Sequence, residues 1–147
     1  MTTVNDLLRR KGTQVWSVAP DTTVLEALDM LAKKDVGALM VLDHNAIAGI
    51  ISERDFVRFI AKTGKLQVDS PVSDHMTKDV FTIGPEKTIE ECMSLMTDKR
   101  IRHLPVVKDG SLIGLVSIGD VVKEIISTKE ATINHLENYI EGADYGR

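Results

Sequence analysis

Several things are scarce in this 147-residue chain. It has one cysteine, Cys92, so it can build neither an internal disulfide framework nor a cysteine-based zinc site. Aromatic residues are only 4% of it, so the core has to be aliphatic. No apolar run is long enough to span a membrane or, near the N-terminus, to act as a secretory signal. Positive charge is not in surplus: 18 Lys+Arg face 22 Asp+Glu, a net charge of −4. Such a surface does not suit sequence-independent binding of nucleic acid or anionic lipid. With no signal and no paired cysteines, the expected location is the cytoplasm. The 43% apolar and 27% charged residues are those of one globular domain of ordinary size.

What the chain does have is an internal repeat. Residues 15–61 align without a gap on residues 80–126 at a constant offset of 65. Pro20 falls on Pro85, Thr23 on Thr88, Gly49 on Gly114, Ser52 on Ser117 and Asp55 on Asp120. Upstream, Val4-Asn5-Asp6-Leu7-Leu8 resembles Val72-Ser73-Asp74-His75-Met76 at an offset of 68, so the first copy carries three extra residues around Lys11–Gln14. The expected organisation is a first repeat with its lead-in at 4–61, a polar linker at 62–71, a second repeat with its lead-in at 72–127, and a C-terminal amphipathic helix and tail at 128–147.

Each copy reads as β-α-β-β-α. A short apolar stretch (15–18, 80–83) stops before a proline. Thr23 with Glu26, and Thr88 with Glu91, have the capping-box spacing that opens a helix. Two aliphatic strands follow (38–42 and 47–52; 103–107 and 112–117), joined by the turns His44-Asn45 and Asp109-Gly110, the second a strong hairpin signal. A second helix closes each unit at 53–61 and 118–127. About 50 residues bury too little to stand alone, so the fold class is α+β, with two copies packed about a pseudo-twofold axis.

The segment Gly49-Ile50-Ile51-Ser52-Glu53-Arg54-Asp55 recurs as Gly114-Leu115-Val116-Ser117-Ile118-Gly119-Asp120. One reading is a capping box at a strand-to-helix junction. The other is a ligand site. Free N–H groups at the helix start face a crevice, and an ionised Asp can accept both hydroxyls of a ribose diol, at about 1.5–3 kcal/mol per bond. On that reading the glycine lets a ligand approach the strand.

Two such copies, with Arg102-His103-Leu104-Pro105-Val106 ahead of the second hairpin, resemble a tandem cystathionine-β-synthase (CBS) domain pair, or Bateman module, of the stand-alone kind with no attached enzyme. The resemblance covers Val4 to about Ser127. It implies binding of an adenosine-containing ligand: AMP foremost, with ADP, ATP, NAD(H) or S-adenosylmethionine as alternatives. It puts Asp120 and Asp55 on ribose hydroxyls and Ser117 and Ser52 beside them. Ile118, Gly119 and Arg54 lie within these two motifs. It places adenine against Thr82 and Ile83 in copy two and Ser17 and Val18 in copy one, with Arg102 and His103 on the phosphate.

The copies differ where Arg102-His103 falls on Gly37-Ala38 and Arg54 falls on Gly119. Two non-equivalent clefts are expected: an adenine mononucleotide at Asp120, and a different ligand, such as the dinucleotide NAD, at Asp55. Alternatively, Arg54 and Arg58 are only a solvated helix face.

Other residues carry less. Cys92 falls on Ala27, on an apolar helix face, and reads as packing. The four histidines have no metal-site spacing, and no nucleophile–base pair is evident, so neither a metal nor a catalytic cofactor is expected. The methionines read as gap-fillers. Ile133, Leu136 and Ile140, after Thr132 as an N-cap, form an amphipathic helix. By resemblance the protein is a homodimer and a nucleotide-sensing regulatory module that signals to a separate, unidentified protein. The alternatives are a ligand-free structural dimerisation module and a small nucleotide-processing enzyme.

Overall fold

The computed structural model describes residues 1–145. The elements are α1 (Val4–Lys11), β1 (Ser17–Val18), α2 (Val24–Lys34), β2 (Ala38–Asp43), β3 (Ala46–Ser52), α3 (Glu53–Thr63), a 3-10 turn (Val72–Asp74), α4 (Ile89–Lys99), β4 (His103–Lys108), β5 (Ser111–Ser117) and α5 (Ile118–Tyr145). The capped helix starts are where the sequence puts them: Thr23 Oγ1 accepts from the N–H of Glu26 and Thr88 Oγ1 from that of Glu91. Both hairpins turn through two residues of positive φ, His44-Asn45 and Asp109-Gly110, the geometry that matches strand twist. Their registers repeat, with Met40 opposite Ile50 and Pro105 opposite Leu115, and each carries a bulge at the same place.

The first sheet has three strands, β1-β2-β3, with β1 parallel to β2, whereas the second has only β4-β5. The expected strand at 80–83 is reduced to one bridge, Ile83 to Val106. Pro105 explains this. In copy one Met40 N–H donates to Trp16 O at 3.1 Å; the residue at Met40's place in copy two is Pro105, which has no N–H to give.

The buried residues form two clusters, and each draws on the other copy's lead-in. Val4, Leu7 and Leu8 of α1 pack with Ile83, Cys92, Leu104 and Val116 of copy two. Val72 and Met76 pack with Val24, Leu39 and Ile51 of copy one. Backbone bonds match across the exchange: Val4 N–H to Lys87 O at 2.8 Å, and Val72 N–H to Thr22 O at 2.8 Å. The lead-ins therefore do not pack on the copies they precede in sequence. This also corrects the reading of the repeated glycines. A Cβ at Gly49 would lie 2.6 Å from Met76 Sδ, and one at Gly114 would lie 2.7 Å from a Leu8 methyl. The glycines admit the exchanged lead-ins rather than a ligand.

The C-terminal segment differs from expectation as well. α5 is one helix, and Thr132 is no cap: its hydroxyl donates back to Thr128 O at 2.9 Å within the helix. Near its start, buried Glu124 pairs with Arg10 of α1. Ile133, Leu136 and Ile140 are all more than half exposed. Among the described residues, no helix is long and apolar enough to cross a membrane.

Candidate functional site

The exchange sets each Ser-x-x-Asp motif opposite the other copy. The Asp120 cleft is walled by Ser117 and Leu115 of copy two and by Lys11, Gln14, Trp16 and Asp35–Ala38 of the first half of the chain; its volume is about 430 Å³. The Asp55 cleft is walled by Ser52, Arg54 and Arg58 of copy one and by Thr77 and Arg100–His103 of the second half; it is smaller, about 150 Å³. Only the first reaches the size usual for small-molecule sites, roughly 300 Å³ and upward. Gly37 and His103 line both, so the clefts adjoin at the boundary between copies.

Both aspartates begin a helix, but their carboxylates are used differently. Asp55 is 8% exposed. Its Oδ2 accepts from the Ser52 N–H (2.9 Å) and hydroxyl (3.2 Å), and its Oδ1 accepts from the Thr77 hydroxyl (3.0 Å). Asp120 has a side chain 24% exposed. Its Oδ2 accepts from the Ser117 N–H (2.9 Å) and from the Lys11 ammonium (2.6 Å), while the Asp120 N–H donates to Ser117 Oγ (3.1 Å). Among the described residues, no hydrogen bond engages Asp120 Oδ1. Burial pushes the Asp120 carboxyl up, but the bonds from Lys11 and Ser117 outweigh it and hold it below its ordinary 3.8.

His103, at the boundary, is half-buried. Burial depresses its pKa below 6.5 against the pull of Asp120, and Lys11 and Arg102 lower it further, so the ring is neutral near pH 7. Permanent positive charge gathers in the other cleft, where Arg54, Arg58, Arg100 and Arg102 converge. Arg54 Nη1 donates to Arg100 O at 3.0 Å, tying α3 to the left-handed cap of α4.

The remaining expected site residues divide as follows. Ser52 and Arg54 stand with Asp55, and Ser117 stands with Asp120. Arg102 does not wall the Asp120 cleft but joins Asp55, because β4 begins across the boundary from α3. Thr82, Ile83, Ser17 and Val18 are not among the walls of either cleft: Ile83 and Val18 are buried in the two cores, and Thr82 and Ser17 are exposed. Ile118 borders a shallow groove with Arg54 and Arg102, and Gly119 is exposed beside Ser117. Sequence reasoning missed Lys11, Trp16, Asp35 and Thr77. A usable signal existed for Trp16: with Lys34 it repeats as Phe81 with Lys99. The ammonium stands over the ring in both pairs, at 4.2 and 5.1 Å. Cys92 is fully buried, with its thiol pushed up by burial to about 11. Among the described residues, no three His, Cys, Asp or Glu side chains gather as a metal site.

A twice-repeated α-β-β-α unit, with a short leading strand in the first copy, exchanged lead-ins and a cleft at each copy boundary, defines a small tandem-repeat class. The family model for the CBS domain matches residues 3–62 and 72–127, and the chain belongs to that family. It is 39% identical over 151 residues to the CBS domain-containing protein CBSX3, mitochondrial, of Arabidopsis thaliana, covering 96% of this chain and 73% of that one. Among solved structures it resembles the CBS-domain containing protein ATU1752 from Agrobacterium tumefaciens (42% identity, TM-score 0.81, 84% of this chain and 98% of that one). It also resembles CBSX2 in complex with AMP (30% identity, TM-score 0.72, 88% and 99%).

Proposed function

We propose that the protein is a regulatory, non-catalytic module that binds an adenosine-containing ligand, AMP first among them, in the Asp120 cleft and signals to a separate partner. The observation that carries this reading is the Asp120 carboxylate. It is anchored on one oxygen, open on the other, and held ionised at a helix start in a cleft of nucleotide size. Trp16 offers a flat apolar wall for a base. The likeness to CBSX2, solved with AMP, supports the same ligand class. The four arginines beyond Gly37 and His103 favour a second use of the adjoining Asp55 cleft: receiving the phosphates of a longer ligand such as ATP or NAD(H). Asp55 itself, with both oxygens engaged, acts there as a brace.

Calorimetric titration tests the reading. Asp120→Ala should weaken AMP binding by about 100-fold, the size of a lost charge-assisted pair of bonds, while Asp55→Ala in its folded fraction should keep it. Unchanged AMP affinity in Asp120→Ala would sink the assignment. The exposed apolar residues Val57 and Ile60 on α3, and Val122, Ile126, Ile133, Leu136 and Ile140 along α5, support a homodimer. Light scattering that returns one subunit mass at micromolar concentration counts against it.

A further inference from the structure

The Asp120 cleft has an unusual charge balance. Two carboxylates, Asp35 and Asp120, wall it, His103 is neutral, and among its walls Lys11 is the single permanent cation. The Lys11 ammonium spends two of its three donors, on Asp120 Oδ2 at 2.6 Å and on Leu115 O at 2.7 Å. It is the last residue of α1, ahead of Gly12 at φ +100°, in the stretch where the first copy exceeds the second. At the 68-residue offset its counterpart is Asp79, so the device exists on one side of the molecule only.

We infer that Lys11 makes the Asp120 cleft select nucleosides that carry a phosphate over those that are neutral or cationic. This rests on the reading that Asp120 holds the ribose. A diol that takes both carboxylate oxygens finds Oδ1 open but Oδ2 held by Lys11, so the ammonium has to share Oδ2 or leave it. Its four-carbon stem is flexible and its three N–H donors rotate freely. A phosphorylated ligand brings an anion into the same cleft, and the ammonium exchanges one charged partner for another. A neutral nucleoside brings none: Lys11 then competes with the ribose for Asp120 or gives up its ion pair with no anion to replace it. A sulfonium nucleoside adds a second cation beside it. The arginines do not substitute for Lys11 toward a single phosphate, since they converge in the adjoining cleft.

Calorimetric titration of AMP, adenosine and S-adenosylmethionine into the full chain tests this. The unaltered protein should bind AMP tighter than adenosine by about tenfold or more, the worth of one charge-assisted bond. In Lys11→Met, AMP should weaken and adenosine should hold or tighten, bringing the ratio near one, and S-adenosylmethionine should gain. Lys11→Arg, which keeps the charge, should keep the preference. If Lys11→Met folds poorly, Lys11→Gln retains a donor to Asp120 and is expected to show the same collapse. A ratio unchanged in Lys11→Met or Lys11→Gln, while Asp120→Asn abolishes AMP binding, overturns the inference alone. AMP binding indifferent to Asp120→Asn overturns the underlying reading and the inference with it.

Discussion

The two clefts are built from the same motif and have come to opposite states. Around Asp55 the carboxylate is buried, accepts three bonds, and fastens the exchanged lead-in to copy one through Thr77. Around Asp120 the lead-in reaches the carboxylate through a flexible lysine, and one oxygen stays open. The difference shows that Gly-h-h-Ser-x-x-Asp does not by itself decide how its carboxylate is engaged. A short hydroxyl from the facing segment engages the second carboxylate oxygen of Asp55, whereas a long cationic side chain leaves that of Asp120 open. Charge follows the same division, with four arginines beside the engaged Asp55 and one lysine beside the open Asp120.

The strongest way to break this comparison is to remove each carboxylate and measure stability in urea. Asp55→Ala should cost about 3 kcal/mol, since it leaves the Ser52 N–H and the Thr77 hydroxyl without their acceptor. Asp120→Ala, which loses a partly solvated pair, should cost about 1 kcal/mol or less. Equal losses would show that the two aspartates do the same work. The repeated glycines sharpen the point. Gly49→Ala would set a Cβ 2.7 Å from the Thr77 carbonyl, which is held by the Ile50 N–H at 3.0 Å and cannot yield, so it should cost about 3 kcal/mol. Gly114→Ala meets only Leu8 methyls, which can rotate, and should cost about 1 kcal/mol.

A third comparison uses the cores. Cys92→Ala installs in copy two the residue that copy one already has at Ala27. It should cost about 1 kcal/mol, and the thiol of the unaltered protein should react with thiol reagents only as fast as the chain unfolds. The smallest effect is expected at the boundary between clefts. The folded pKa of His103 lies below its ordinary 6.5, so the unfolded chain takes up the proton first as pH falls. Its contribution to stability is therefore complete above 6.5 and declines as pH drops through the folded value. His103→Asn, which cannot titrate, should flatten that part of the stability–pH curve. An identical slope would mean that the imidazole is not held neutral by burial.

Much of the fold was legible because its determinants are local. Thr23 and Thr88 cap helices with N–H groups three residues on, the two-residue turns set the hairpin registers, and the 65-residue repeat doubles every such signal. The shortfalls are also physical. The strand at 80–83 looked apolar enough, but it needed an N–H that Pro105 lacks. Thr132 looked like a cap, but with no break before it the helix simply runs on from Ile118. At the site, Asp55, Ser52, Asp120 and Ser117 could be picked out from the motif, because a capping box and a ribose acceptor call for the same residues at the same spacing.

The sequence by itself therefore determined the elements, their order, their duplication and the two helix-start aspartates, all of which depend on neighbours a few residues away. Only the tertiary structure decided which lead-in packs on which copy, and with it which aspartate is closed and which is open. Those outcomes depend on partners far apart in the chain: Lys11 and Asp120 are separated by 109 positions, and Arg54 and Arg100 by 46. No local pattern encodes such meetings. They arise because each copy, too small to bury its own apolar face, completes its core with the other's lead-in and carries the lead-in's polar end into the cleft.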